Sequence, residues 1–226
     1  MKIVLTGSTG RIGAAVLAEC IANPAVTSIV ALTRRPLDIT VSSPKLTNIV
    51  VTREQFLEPK LIQAQLQGAD ACVWAMGVPR NGTREVEVEY PLAFARIASQ
   101  LRADATKPFR LVFTSGAVVK LLAAKDTDSP WFLGEERKMK TAVVDQLELL
   151  ATGSDSQLEV TVVRPSLVVE TGTLMSWLPA TITFERLSAA MVLYALGGST
   201  SHSTFKFVEN DALGTDGEAV LASRRR

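Results

Sequence analysis

Three glycines spaced by two residues, Gly7, Gly10 and Gly13, stand between a short apolar run, Ile3-Val4-Leu5, and a stretch with helical periodicity. A helix N-terminus presents unpaired N–H groups and a partial positive charge, and both favour an anion. A pyrophosphate can sit there only where the backbone comes close. A side chain at Gly10 would hold it off, and one at Gly7 would resist the tight turn. Gly13 lets the helix pack close to the strand. The whole turn, Gly7-Ser8-Thr9-Gly10-Arg11-Ile12-Gly13, follows the first strand and opens the first helix. That context gives the glycine pattern its meaning. The expected ligand is a dinucleotide.

The end of the second strand indicates which one. It falls roughly 20 residues past the turn, where the adenosine ribose would lie and where an acid would bind the 2′-hydroxyl of NAD. The chain has Thr33-Arg34-Arg35-Pro36 there, and no acid. Guanidiniums suit a 2′-phosphate. The expected cofactor is NADP(H) in preference to NAD(H), with Arg34 the closer of the two arginines.

The elements that position this turn alternate between strand and helix periods. Strands are predicted over 2–5, 28–33, 48–52, 71–76, 109–114, 158–163 and 204–208. Helices are predicted over 11–23, through Leu61, Ile62 and Leu66, and over 85–103, 135–150 and 184–196. Asn23-Pro24 ends the first helix, Gly68 suits a C-terminal cap, and Gly197-Gly198 stops the last helix. Strands apolar on both faces belong to parallel sheets covered by helices. The alternation specifies an α/β fold: a doubly wound, mostly parallel sheet with helices on both faces. It forms one domain, 1–226, with a small substrate-side region within about 165–205.

The segments "GSTGRIG", "ALTRRP", "ADACVWAMG", "FRLVFTSGA" and "VTVVRPSLV" occur in order along the chain. Together they resemble an atypical short-chain dehydrogenase/reductase, an NAD(P)-binding Rossmann protein of the NmrA-like or TIP30-like kind. The resemblance runs to about Val169. It implies that Ala75-Met76-Gly77 lie against the adenosine and ribose side of the cofactor. It also implies that Ser115 faces the nicotinamide. Short-chain dehydrogenases pair that serine with a tyrosine, which passes a proton to the carbonyl oxygen, and with a lysine four residues later. The lysine holds the nicotinamide ribose.

In "ERKMKTAVVDQL" Lys140 matches the lysine, and Glu136 stands where the tyrosine would be. The two tyrosines, Tyr90 and Tyr194, lack a lysine at that spacing. Glu136 could donate the proton if burial raised its pKa. Tyr90 could do so from another element, although its spacing with Phe94, Ile97 and Leu101 reads first as a buried stripe. Tyr194 reads the same way with Phe184, Leu187 and Met191. The chain could also bind the dinucleotide without turning it over, as a sensor would.

The expected function is an NADP(H)-dependent oxidoreductase acting on a small hydrophobic carbonyl or alcohol. Ser115, Lys140 and Glu136 are its catalytic candidates. A non-enzymatic NADP-binding regulator and a cofactor-independent isomerase or cyclase are the alternatives, because fold does not fix function. Trp131-Phe132 and the stretch 173–179 are expected to form an apolar substrate wall. The chain is shorter than extended relatives, so its site is expected to be open, and a homodimer is one way to close it.

Composition excludes several other classes. A net charge of +1 gives no footprint for nucleic acid. A single histidine, His202, rules out a multi-histidine metal site. Cys20 and Cys72 sit in apolar stretches and read as buried reduced thiols. The terminal Arg224-Arg225-Arg226 reads as a solvated tail. No targeting segment or membrane-length apolar run is seen, and the expected location is cytoplasmic.

Overall fold

The computed structural model describes residues 1–38, 40–77, 82–101, 107–116, 134–154, 156–178, 180–198 and 203–224. Seven strands form one sheet: β1 (Lys2–Thr6), β2 (Ser28–Thr33), β3 (Leu46–Val50), β4 (Ala71–Trp74), β5 (Phe109–Thr114), β6 (Leu158–Arg164) and β9 (Phe205–Glu209). Their order is β3-β2-β1-β4-β5-β6-β9. Every pairing is parallel. The order reverses between β1 and β4, which opens a crevice at the carboxyl ends of those strands.

Strand side chains alternate between the two helical layers. In β1, Val4 enters one core while Ile3 and Leu5 enter the other. The first layer holds α3 (Pro59–Leu66), α4 (Tyr90–Leu101) and α5 (Gly134–Thr152), with a short α2 (Arg53–Phe56) beside them. Trp74 is its fully buried centre, set edge-on to Phe56 at 5.8 Å and to Phe94 at 5.4 Å. Burying one such side chain contributes on the order of 2–3 kcal/mol. The second layer holds α1 (Arg11–Ala22), α6 (Phe184–Ala195) and α7 (Asn210–Ser223). Cys20 and Cys72 are buried free thiols, and burial pushes Cys20 up to about 12.

Some elements differ from the sequence expectation. β3 starts two residues earlier than the predicted 48–52, because Leu46 pairs with Ile29 across the ladder. Helix α7 was not expected, since its Gly214 and Gly217 look like helix breakers. Gly217 has a packing reason: a Cβ there would stand 2.0 Å from the Arg186 carbonyl oxygen of α6. A two-stranded parallel pair, β7 (Leu167–Val169) and β8 (Thr181–Thr183), was also unforeseen. It flanks a 3₁₀ turn, Leu174–Trp177, within the expected substrate-side region. Arg224 departs from the solvated tail. Its guanidinium donates to both carboxylate oxygens of the buried Glu19, closing α7 onto α1. Arg225, Arg226 and His202 lie outside the described residues.

Candidate dinucleotide cleft

Each glycine of the first turn has its own steric reason. Gly7 has φ +75°, which only glycine adopts readily, and a Cβ there would stand 2.4 Å from the Ala75 carbonyl oxygen. The end of β1 therefore touches the end of β4 backbone to backbone. A Cβ on Gly13 would stand 2.1 Å from the Gly7 carbonyl oxygen, so α1 can lie this close only with glycine. Gly10 is different. Its nearest neighbour would be the Gly7 oxygen at 3.3 Å, and it faces open space in the cleft. Gly10 is the N-cap of α1, no side chain caps that helix, and no acid lies in its first turn. Its leading N–H groups form an anion site.

The cleft in front of this turn has a volume of about 420 Å³ and crosses the end of β1 from β2 to β4. Such a volume suits a cofactor. Gly7, Thr9 and Gly10 form its floor, and Thr33, Arg34 and Arg35 form one end. Ala75, Met76 and Gly77 line the other side, with Tyr90 and Val86 behind them. Val51, Thr52 and Phe56 complete the β2 end. Arg34 and Arg35 are both exposed, and among the described residues no acid lines the cleft.

The arginine turn is held by a residue that the sequence reading passed over. Asn48, in the middle of β3, accepts from the Leu37 N–H at 2.9 Å. Its amide donates to the Thr33 hydroxyl at 2.8 Å and to the Ala31 carbonyl at 3.1 Å. One side chain thus pins both ends of the segment carrying Arg34 and Arg35.

The other described residues singled out from the sequence, Ser8, Arg11, Ile12, Gly13, Ser115 and Lys140, are not part of the cleft lining, whereas Tyr90 is. Ile12 packs partly buried against the second core, and Gly13 is buried beneath the turn. The Arg11 side chain points away, its guanidinium 4.6 Å from the centre of the Phe184 ring and 3.5 Å from Glu170. Ser8 and Ser115 are 3% and 8% exposed, and neither hydroxyl has a hydrogen-bond partner among the described residues. The same holds for the hydroxyls of Thr6 and Thr114. Buried hydroxyls without partners are uncommon and costly. These four lie at the carboxyl ends of β1 and β5, beneath the cleft and not in its lining. The cradle and the cleft volume fit a dinucleotide.

Lys140 lies on α5 with its ammonium 3.6 Å from Glu87 Oε2. Glu87 is buried and belongs to a π-helical turn, Glu85–Glu89, that leads into α4. Sequence reasoning missed Glu87, which falls at the start of the helix predicted over 85–103. A π turn is the signal that could have marked it, since such turns cluster at functional sites, but it is not legible in residue types. Tyr90, Phe94 and Ile97 are buried as the stripe predicted, whereas Leu101 at its end is exposed; Tyr90 stacks on Phe56 at 4.9 Å and also lines the cleft. Tyr194 is buried at the opposite edge of the sheet and donates to Asp216 at 2.5 Å. The Glu136 side chain, Trp131, Phe132 and Pro179 lie outside the described residues.

A doubly wound parallel sheet, a strand-turn-helix glycine cradle and a cleft at the reversal of strand order define a Rossmann dinucleotide-binding protein. The model of the NAD(P)H-binding family matches residues 7–175, and the chain belongs to that family. The five motifs resemble those of atypical short-chain dehydrogenases/reductases, in keeping with that family. Protein fmp52, mitochondrial, from Emericella nidulans is 34% identical over 124 residues, 53% of this chain and 53% of that protein. The aligned part is thus about half of that relative's length. Among solved structures, the YIR035C short chain dehydrogenase/reductase of Saccharomyces cerevisiae has a TM-score of 0.71 at 15% identity, covering 95% of this chain and 98% of that one. The oxidoreductase ylbE of Lactococcus lactis has a TM-score of 0.66 at 19% identity, covering 98% and 97%. Uronate dehydrogenase of Agrobacterium tumefaciens, as a point mutant complexed with NAD, has a TM-score of 0.68 at 15% identity, covering 92% and 76%. These likenesses extend over nearly the whole chain and concern its fold. No helix of the described residues is long and apolar enough to cross a membrane.

Proposed function

We propose that the chain is an NADP(H)-dependent oxidoreductase of the cytoplasm that acts on a small hydrophobic carbonyl or alcohol. The observation that carries this reading is the cleft itself: a glycine cradle for a pyrophosphate with two exposed arginines and, among the described residues, no acid at its β2 end. Arg34 and Arg35 would take a 2′-phosphate through charge-assisted hydrogen bonds. Gly10 and the start of α1 would hold the pyrophosphate. Lys140 would hold the nicotinamide ribose, and Ser115 would donate its unpartnered hydroxyl to the substrate oxygen. The cofactor would supply or accept hydride. Glu136 would hold the proton in place of the family's tyrosine. Leu174, Met175 and Leu178 are exposed between β7 and β8, past the carboxyl end of β6, which suits an apolar substrate or a second copy closing the site.

One observation favours a second reading. Glu136 at the tyrosine position suits a protein that binds NADP(H) without turning it over. Loss of the near-ultraviolet absorbance of NADPH separates the two, tested with a panel of small aliphatic and aromatic aldehydes and ketones. The oxidoreductase reading expects oxidation that Lys140→Ala abolishes. Saturable NADPH binding with no oxidation by any carbonyl would favour the regulator.

A further inference from the structure

The Glu87–Lys140 pair joins two elements far apart in sequence at one place, behind the Gly77 wall of the cleft. Glu87 is 6% exposed at its side chain and Lys140 is 24% exposed, with 3.6 Å between Oε2 and Nζ. The carboxylate lies along the strand end that lines the cleft. A Cβ on Gly77 would stand 3.6 Å from each of its oxygens, and one on Gly82 would stand 2.8 Å from its Cγ. Gly77 and Gly82 thus leave room for a buried carboxylate behind the cleft wall. The π turn aims it inward, and the Glu87 N–H is tied to the Thr83 carbonyl at 3.0 Å.

A buried ion pair is weak support for stability, because desolvation of both charges offsets most of their attraction. Its merit lies in fixing position. A lysine head is a flexible point charge on a four-carbon stem, and holding it still takes a fixed counter-charge. Glu87 supplies one from the side away from solvent. An ammonium has three N–H donors, and the carboxylate engages one side of it. In a family where the active-site tyrosine and lysine share a helix face, this chain has no tyrosine beside its lysine.

We propose that Glu87 is the positioning residue for Lys140, fixing the ammonium at the nicotinamide end of the cleft. This rests on the reading of the cleft as a nicotinamide-dinucleotide site. Arg34 and Arg35 act at the other end, on β2, so the two ends are separable by ligand.

The test titrates the full-length protein by calorimetry with whole dinucleotides, NADPH and NADH, and with their adenosine halves, adenosine 2′,5′-bisphosphate and ADP. Wild type, Glu87→Gln, Lys140→Met and the double variant are compared, with circular dichroism confirming the fold. Glu87→Gln keeps the shape and removes the charge. It is expected to weaken the dinucleotide about ten-fold, the size of one hydrogen bond, and to leave the adenosine half unchanged. Lys140→Met is expected to do the same, and the double variant to be no weaker than the weaker single variant, since the residues act as a unit. Glu87→Asp, which restores the charge, should recover part of the loss. Unchanged dinucleotide binding by Glu87→Gln would overturn the proposal, and so would equal loss of both ligands, the mark of a merely structural residue. Should Glu87→Gln fail to fold, Lys140→Met and Glu87→Asp carry the same comparison. If the wild type binds neither dinucleotide nor half, the cofactor reading itself falls and the proposal with it.

Discussion

The two ends of the cleft are built in different ways. At the proposed adenosine end the lining comes mainly from two short segments: the glycine turn, 7–13, and the arginine turn after β2. The proposed binding groups there are backbone N–H groups and exposed guanidiniums, and the glycines leave room for them. At the proposed nicotinamide end the parts come from three separate elements. Ser115 follows β5, Lys140 is on α5, and Glu87 is on the π turn before α4. The first end depends on glycine having no side chain. The second depends on one side chain holding another. Perturbing each end in turn should therefore give different signatures.

The largest effect belongs to the turn. Gly13→Val would drive a Cβ and two methyls into the Gly7 carbonyl. The turn cannot yield without moving β1 from β4, so dinucleotide binding is expected to be lost at both ends together. Overpacking of this kind typically costs about 1–3 kcal/mol and occasionally more, so the melting temperature should also fall. Retained binding by Gly13→Val would show that the cradle is not what holds the ligand.

Next in size is the arginine turn. Replacing Arg34 and Arg35 together by Ala removes charge-assisted bonds worth about 1.5–3 kcal/mol each. NADPH affinity is expected to drop on the order of a hundred-fold, with NADH nearly unchanged. A drop of equal size for both ligands would mean that the arginines touch the shared pyrophosphate instead. The Glu87 variant follows at about ten-fold, confined to the nicotinamide end.

A smaller effect is expected from Asn48→Ala. It releases the Leu37 N–H and the Thr33 hydroxyl without touching the ligand. The preference for NADPH over NADH should shrink by a few-fold, roughly one lost hydrogen bond's worth. Equal weakening of both ligands would make Asn48 a purely structural residue.

The opposite edge of the sheet serves as the control. Tyr194→Phe removes a buried hydroxyl bonded to Asp216 at 2.5 Å. Burial, reinforced by Asp216, holds that phenol protonated well above its usual range, so the bond is present at any working pH. Its loss should lower stability by about 1.5–3 kcal/mol and leave both dinucleotide affinities unchanged.

The same contrast explains what the sequence could reveal. The alternation of strands and helices that makes a parallel sheet, and the glycine cradle, were legible because apolar period and glycine spacing are local. So were Arg34 and Arg35, since the end of β2 lies at a fixed distance from the turn. Glu87 was not legible, because residue types give no sign that a π turn will aim it at a lysine more than fifty positions away. Asn48 read as the start of a strand, and its three hydrogen bonds become visible only when β3 lies beside β2. Helix α7 was hidden by Gly217, a residue that weakens helices in isolation and is required where α7 crosses Arg186. Arg224 looked like a frayed end because Glu19, its partner, is at the other end of the chain. Side-chain pairs that bridge distant segments are the part of a site that composition and periodicity leave out.

The most direct measurement is calorimetric titration of the nucleotide-free wild-type protein with NADPH and with NADH. The account predicts saturable binding of both, with NADPH tighter by at least about ten-fold, the worth of one arginine–phosphate contact. Equal affinity, or tighter binding of NADH, would contradict the role given to Arg34 and Arg35, and binding of neither would contradict the cleft as a dinucleotide site.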